Sequence, residues 1–421
     1  MLFTEFNLHS SIQKSIAACG YTEATPIQTE AIPLAQAGRD LIASAQTGTG
    51  KTAAFILPAL ERLVKPGLAG RGPRVLVLTP TRELAIQVAD SVARYGRFLR
   101  FRYGTIMGGV PYPEQLRMLR QPVDLIVATP GRLIDHLERG RLDLSRVELL
   151  VLDEADRMLD MGFTDAVDQI AAATPQSRQT LLFTATMDDP MARLAQRLLR
   201  NPERIAIATP KTTHTQIEQR LHVTDNLGHK YKLLQHLLND PTITQAIIFS
   251  ATKRDADSLA RELYDKGYAA AALHGDMTQG ARTRTLTNLR RGRVKLLVAT
   301  DVAARGLDIG GISHVINFDL PKAAEDYVHR IGRTGRAGAT GVAISFVSPA
   351  EAVYLQRIER YTGQKVPVHT IPGLEPMSSL PSGNRGASGK GRRPFVPGGQ
   401  RRQGGAPKTK GGYQQRSRTQ R

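Results

Sequence analysis

Short aliphatic runs recur along this chain, each followed by a polar or Gly-rich turn and then by a helical pattern. Val75–Leu78 leads into a predicted helix over 81–94, Leu125–Ala128 into one over 132–138, and Leu149–Leu152 into one over 155–161. A run that is apolar at every position suits a strand covered on both faces. Alternating with helices, such runs read as βα units on a buried parallel sheet. The rhythm extends from residue 40 to about 208 and is interrupted by the polar stretch Pro210-Lys-Thr-Thr-His-Thr-Gln216. It resumes with Ala246–Phe249, Leu296–Ala299 and 314–318, and fades after about Gly373. The pattern therefore predicts an α/β protein of two domains, each a mainly parallel sheet flanked by helices. The first covers 1–208, a linker 209–216, the second 217–372, and a tail 373–421. No primary-sequence repeat joins the two halves, so their common architecture rests on the pattern alone.

The tail differs in kind. Residues 377–421 hold eleven Lys and Arg, no acidic residue, and abundant Gly, Gln, Pro and Ser. Such a segment cannot bury enough apolar surface to offset its chain entropy, and it is expected to be disordered. It accounts for eleven of the nineteen net positive charges of the 421-residue chain, which has 57 Lys and Arg against 38 acidic residues. That imbalance points to a polyanionic partner. No apolar run approaches the roughly 18 residues that would span a bilayer, so a membrane partner is not expected. Residues 1–10 lack the charged and apolar regions of a secretion signal. Cys19 is the single cysteine, which excludes an internal disulfide and fits a reducing, cytoplasmic setting.

Candidate chemistry begins at Ala45-Gln-Thr-Gly-Thr-Gly-Lys-Thr52, between a predicted strand at 40–43 and a helix. This is a phosphate-binding loop in its usual context, with Ala45 where the strict pattern has glycine. Gly48 and Gly50 let backbone N–H groups converge on phosphate oxygens, Lys51 places a charge at the β and γ phosphates, and Thr52 offers a hydroxyl to Mg²⁺. A second signal is the apolar run 147–152 ending in Asp153-Glu-Ala-Asp156. Asp153 at a strand end beside such a loop can hold Mg²⁺, and Glu154 can orient and deprotonate an attacking water. Together the two predict nucleoside triphosphate hydrolysis.

Asp-Glu-Ala-Asp is also the signature that names the DEAD-box RNA helicases, and the rest of the chain resembles that family in order and spacing over about residues 1–370. Gly20-Tyr-Thr-Glu-Ala-Thr-Pro-Ile-Gln28, with Phe3 upstream, is similar to the family's Q motif. The likeness implies two RecA-like domains that bind ATP. The nucleotide contacts it implies are Phe3, Tyr21, Thr25, Gln28, Ala45, Gln46, Thr47, Gly48, Thr49, Gly50, Lys51, Thr52, Gly306 and Asp308, with Gln28 reading the adenine edge. Pro80-Thr-Arg-Glu-Leu-Ala85, Gly108-Gly109 and Thr129-Pro-Gly-Arg132 resemble the RNA motifs of the first domain. Gln279-Gly-Ala-Arg282 and the run from Ala299 to Asp308 resemble those of the second. RNA contacts are thereby implied for Pro80, Thr81, Arg82, Gly109, Thr129, Arg132, Gln279, Arg282, Thr300 and Asp301. Phe183-Thr-Ala-Thr186 falls where the family has Ser-Ala-Thr, whereas the literal Ser-Ala-Thr at 250–252 matches motif IV. Asp156, Thr184, Thr186 and His329 are the implied coupling residues. Tyr327-Val-His-Arg-Ile-Gly-Arg-Thr-Gly-Arg336 resembles motif VI, so Arg333 and Arg336 would act as arginine fingers supplied in cis. The run from His274 to Arg284, Ile371-Pro-Gly-Leu-Glu-Pro376 and the basic tail look most like the bacterial RhlE branch.

These parts predict an RNA-stimulated ATPase whose domains close on RNA and which separates short duplexes or remodels ribonucleoprotein. The absence of Trp and the aromatic content of 5% favour a backbone grip with little sequence preference. Rival readings are an ATP-regulated RNA clamp with slow turnover and, less in keeping with the motifs, a DNA helicase. Ribosome assembly, with a ribosomal particle as partner, and RNA decay beside a degradative nuclease both fit such an enzyme, as does cold adaptation. With motif VI in cis, a monomer suffices. The tail reads either as a solubilising segment or as an RNA-contacting arm. Met158, Met161 and Cys19 read as packing residues, and histidines outside the motifs show no ligand spacing.

Overall fold

Thirteen strands build two separate sheets in the computed structural model, which describes residues 1–45, 48–67, 70, 72–207, 217–304, 309–335 and 340–380. The expected linker at 209–216, and the expected tail from 381 onward, lie outside the described residues. The first part of that tail, 373–380, instead belongs to the folded unit: Leu374 packs on the second domain's core, and the Asp225 carboxylate accepts from the backbone N–H groups of Met377 and Ser378. In the first sheet the strands are β1 (Leu41–Ser44), β2 (Val75–Leu78), β3 (Tyr103–Ile106), β4 (Leu125–Ala128), β5 (Leu149–Leu152), β6 (Gln179–Thr184) and β7 (Glu203–Ala206). The second holds β8 (Ile217–Val223), β9 (Ala246–Phe249), β10 (Ala270–Leu273), β11 (Leu296–Ala299), β12 (His314–Asn317) and β13 (Gly341–Val347). Every neighbouring pair is parallel.

The strand orders are β3-β4-β2-β5-β6-β1-β7 and β10-β11-β9-β12-β13-β8. Written from the first strand of each domain, these are the same permutation, with β7 added at one edge of the first sheet. The common architecture inferred from pattern is thus a shared topology.

The all-apolar runs follow from burial on both faces. Val75 and Val77 of β2 enter one core of the first domain, while Leu76 and Leu78 enter the other. In the second domain Ala246 and Ile248 of β9 face one core and Ile247 and Phe249 the opposite one. Six of the predicted runs coincide with strands to within one residue. The strand expected at 40–43 runs instead over Leu41–Ser44, and just before it the buried Asp40 carboxylate accepts from the backbone N–H groups of Thr180 (2.8 Å) and Arg200 (2.7 Å). The helix expected at 132–138 begins at Pro130, whose fixed φ suits the first helical position. Edge strands β3 and β7 are only partly covered and carry no continuous apolar run for the sequence to show, whereas the edge strand β10 is an apolar Ala-Ala-Ala-Leu run that the sequence pattern did not single out.

Met1–Leu380 pack as one compact unit, so the two domains meet directly. Phe346 is fully buried in β13 against Phe318, with ring centroids 5.9 Å apart. Phe346→Ala should lower unfolding stability by about 3–5 kcal/mol through lost burial and a cavity. Urea denaturation followed by circular dichroism measures this, and a loss below about 1 kcal/mol would contradict the packing described.

Candidate functional site

The phosphate loop leaves β1 at Ala45 and enters the helix Lys51–Val64. Gly48 and Gly50 have φ of 86° and 93°, a region costly for residues bearing a Cβ. At Gly50 a Cβ would also fall 2.4 Å from Gln28 Nε2. That crowding reflects a real contact: Gln28 Nε2 donates to the Gly50 carbonyl at 3.1 Å, and its Oε1 accepts from Thr25 N at 2.9 Å. Gln28 therefore braces the loop from the first turn of the helix Pro26–Gln36. Thr25 Oγ1 is buried beside Gly50 and has no hydrogen-bond partner among the described residues. Lys51 is buried and donates through Nζ to the Ala45 carbonyl at 2.6 Å. Thr52 follows in the first turn, half-buried. Gln46 and Thr47 lie outside the described residues.

Two further expected nucleotide contacts differ in exposure. Phe3 is buried in the first domain's core against Phe6, and so presents no open face to a base. Tyr21 is exposed and its ring lies 6.4 Å from that of Tyr95.

At the end of β5, Asp153 is 3% exposed. Burial, with lesser contributions from Glu154 and Asp156, raises its carboxyl to about 7 against the opposing pull of Lys51. A buried carboxylate driven toward protonation beside a lysine is a group in need of a cation. Glu154 holds left-handed backbone angles (φ 52°, ψ 52°), a strained state that turns the chain sharply from strand to helix Ala155–Asp160. No group of three or more potential metal ligands exists among the described residues. Asp153 and the Thr52 hydroxyl would give Mg²⁺ the sparse protein shell that it commonly accepts when phosphates supply further oxygens.

Asp156 carries the connection onward. Its Oδ2 accepts from the backbone N–H groups of Ala185 (2.9 Å) and Thr186 (3.0 Å) and from Thr186 Oγ1 (3.2 Å). Thr184, fully buried, donates its hydroxyl to the Thr186 carbonyl at 2.7 Å. The hydroxyl is what this turn uses, so threonine serves at the position where the family has serine.

Across the domain junction the contacts are mostly ionic. Arg282 places Nη2 2.7 Å and Nε 2.8 Å from Glu83 Oε1, both side chains being buried, and its Nη1 donates to the His274 carbonyl. Arg82 Nη1 donates to Gln279 Oε1 at 3.2 Å. Arg157 Nη1 lies 3.0 Å from Asp326 Oδ1. Within the second domain Asp301 makes a bidentate pair with Arg330, at 2.6 and 2.7 Å. Arg282 and Asp301, expected among the RNA contacts, thus have their charges engaged by protein partners. Glu83, Arg157, Asp326 and Arg330 were not singled out in the sequence, although each adjoins or lies within a quoted motif. His329 is held neutral, its pKa pushed down to about 3 by burial and then by the charges of Arg157 and Arg333. Arg333 is buried and its Nε donates to the His329 carbonyl at 3.2 Å. Gly306, Asp308 and Arg336 lie outside the described residues.

A cleft of about 440 Å³ draws Pro80, Thr81, Arg82, Thr129, Arg132 and Arg282 together from both domains. Thr81 and Thr129 are the N-caps of helices Arg82–Tyr95 and Pro130–Glu138, so helix N-termini and threonine hydroxyls border it, an arrangement suited to phosphate oxygens. At Gly109, with φ of 77°, a Cβ would come within 2.3 Å of Arg82 Nη1, so glycine admits the guanidinium. Arg132 donates to the Val110 carbonyl and stacks 4.2 Å from the Tyr112 ring centroid. Gln279 opens the helix Gln279–Arg290, and Thr300 is buried at the end of β11. Met158 is fully buried as expected, but Met161 lines this cleft with Phe163. Cys19 is a free thiol, partly buried against the first core.

Known proteins share this plan. The family model for DEAD/DEAH box helicases matches residues 25–194, and that for the helicase conserved C-terminal domain matches residues 229–338. A DEAD-box ATP-dependent RNA helicase CshA of Geobacillus kaustophilus is 45% identical over 373 residues, 89% of this chain and 79% of that protein. The CshA of Bacillus subtilis is 44% identical over 375 residues, covering 89% and 75%. Among solved structures, Saccharomyces cerevisiae Dbp5 bound to RNA and ADP BeF3 superposes with a TM-score of 0.79 at 34% identity, over 88% of this chain and 95% of that one. The DEAD-box helicase Mss116 bound to ssRNA and UDP-BeF gives 0.78 at 28% identity, over 88% and 79%. With the phosphate loop, the Asp153–Asp156 turn and a cleft shared by two RecA-like domains, the chain belongs to the DEAD-box ATP-dependent RNA helicases.

Proposed function

We propose that this helicase binds RNA across both domains, closes on it, and uses ATP hydrolysis to separate short duplexes or remodel ribonucleoprotein locally. The observation that carries the reading is Asp156, which ties the hydrolytic turn to the Thr184–Thr186 segment while its neighbour Arg157 reaches the second domain. Hydrolysis and domain closure then share one connected set of hydrogen bonds and charges.

In this scheme the β and γ phosphates lie against the loop at Gly48–Lys51 and the N-terminus of the helix that follows. Lys51 would exchange the Ala45 carbonyl for phosphate oxygen. Gln28 and the Thr25 hydroxyl stand near the nucleotide. Asp153 and Thr52 would hold Mg²⁺, which neutralises phosphate charge. Glu154 orients the attacking water and accepts its proton, while Arg333 and Arg336 supply charge where the transition state develops it. Thr81, Arg82, Thr129, Arg132 and Thr300 grip the RNA backbone and 2′-hydroxyls, giving little sequence preference.

Arg282 and Asp301 act instead by holding elements in register. The run His274–Arg284 and the basic tail resemble the RhlE branch, while the relatives reported above carry the CshA name. The activity follows from the family and not from the branch. A cytoplasmic monomer acting in ribosome assembly or RNA decay is the biological setting we infer.

Steady-state hydrolysis should rise strongly with RNA and much less with single-stranded DNA. Glu154→Gln should lower the RNA-stimulated rate by about 10²–10⁴-fold with ATP and RNA still bound. Equal stimulation by DNA would sink the RNA reading, and negligible turnover with intact binding would install the clamp.

Asp153 gives a pH prediction. Its folded pKa of about 7 lies above the unfolded carboxylate value, so the stabilisation it gives is present at low pH and lost as pH rises through about 7. Asp153→Asn, which mimics the protonated form, should raise the ligand-free melting temperature above wild type at pH 8. At pH 5 the gap should close, and hydrolysis should be lost at either pH. An equal gap at both pH values would refute the assigned titration.

A further inference from the structure

Arg157 is a buried cation with two anionic partners, one in each domain. Its Nη1 lies 3.0 Å from Asp160 Oδ2 on its own helix and 3.0 Å from Asp326 Oδ1 on the helix Ala324–Ile331. The arginine side chain is 8% exposed, Asp326 17% and Asp160 52%. A guanidinium removed from water is costly unless paired, and here the well-shielded partner lies across the junction. Were the domains apart, Arg157 would keep water and Asp160, and Asp326 would keep water and the favourable N-terminal end of its helix. The bond between them is therefore available only when the domains meet.

Both ends of this bond adjoin the chemistry without touching substrate. Arg157 follows Asp156, the carboxylate that accepts from Ala185 and Thr186. Asp326 precedes His329 by three positions, so the two share a helix face, and Arg333 donates to the His329 carbonyl. Fixing Asp326 on Arg157 sets the helix that leads to Arg333 in register with the Asp153–Asp156 turn. We propose that Arg157 and Asp326 form a closure-dependent positioning pair, which favours the joined state of the domains, the state in which the arginine-bearing helix faces the hydrolytic turn. The inference rests on the helicase reading above and adds to it residues outside the nucleotide and RNA contacts.

Since such a pair stabilises closure and not the transition state directly, its loss should reduce apparent RNA affinity more than turnover. Arg157→Ala and Asp326→Asn should each raise the RNA concentration for half-maximal hydrolysis by about 5–10-fold, with kcat at saturating RNA within about two-fold of wild type. The double variant should match the single ones, since either substitution removes the whole interaction. Arg157→Lys, which keeps the charge, should lie within about three-fold of wild type. Multiplying effects in the double variant, or an unchanged RNA requirement in Asp326→Asn, would overturn the pair. Melting curves guard against misfolding, and Asp326→Asn keeps the test open should Arg157→Ala fail to fold.

A second readout separates this idea from the function. Fluorophores at Glu138→Cys and Arg291→Cys in a Cys19→Ser background report domain approach with RNA and a non-hydrolysable ATP analogue. Half-maximal closure should shift to higher RNA in the pair variants by the same factor. Wild type that closes yet shows no RNA-stimulated hydrolysis would end the motor reading while the shift still supports the pair. Closure unaffected by either substitution overturns the pair and leaves the motor standing.

Discussion

Parallel strands covered on both faces leave polar chemistry very little room. Inside either sheet a charge would sit between two apolar layers with no partner, so the functional groups gather where strands end. All strands of a sheet run the same way, and their carboxyl ends therefore lie along one edge. β1 delivers Ala45 and the phosphate loop, β2 delivers Pro80 and Thr81, β4 Thr129, β5 Asp153, and β6 Thr184. The second sheet presents Thr300 at the end of β11 in the same manner. Sheet direction thus assembles side by side the groups proposed for hydrolysis and for RNA contact, and loop chemistry refines what topology has already placed.

That edge becomes a machine only where the two sheets meet. Arginines face carboxylates across the junction, Arg282 with Glu83 and Arg157 with Asp326. Such contacts lose less on separation than buried hydrocarbon, because water can solvate both partners when the domains part. A junction of this type suits the opening and closing proposed above. The neutral His329, set between Arg157 and Arg333, adds no further positive charge to an already cationic junction.

Several readings were available from residue order alone because they depend on local physics. Gly48, Gly50 and Lys51 announce a phosphate loop, since glycine takes those backbone angles without strain and a cation answers the phosphates. β2, β4, β5, β9 and β11 were legible because double-sided burial writes a continuous apolar run. β3 and β7 were not, since a half-covered edge strand leaves no such mark, and the short alanine run of β10 suits a helix as well as a strand. Phe3 shows the opposite failing: its position in the motif suggested a base contact, but its ring is closed into the core against Phe6.

Composition and motif order by themselves determined the α/β class, the two-domain plan, the phosphate-loop sequence, the Asp153–Asp156 signature and a polyanionic partner. Each depends on residues close in sequence, whose spacing alone constrains the local backbone. The tertiary structure decided which charges face solvent or RNA and which face protein. Arg282 meets Glu83, 199 positions away, Arg157 meets Asp326, 169 away, and Gln28 braces Gly50, 22 away. No local rule pairs residues so distant, because side-chain partners are chosen by how helices and sheets pack and not by their order along the chain.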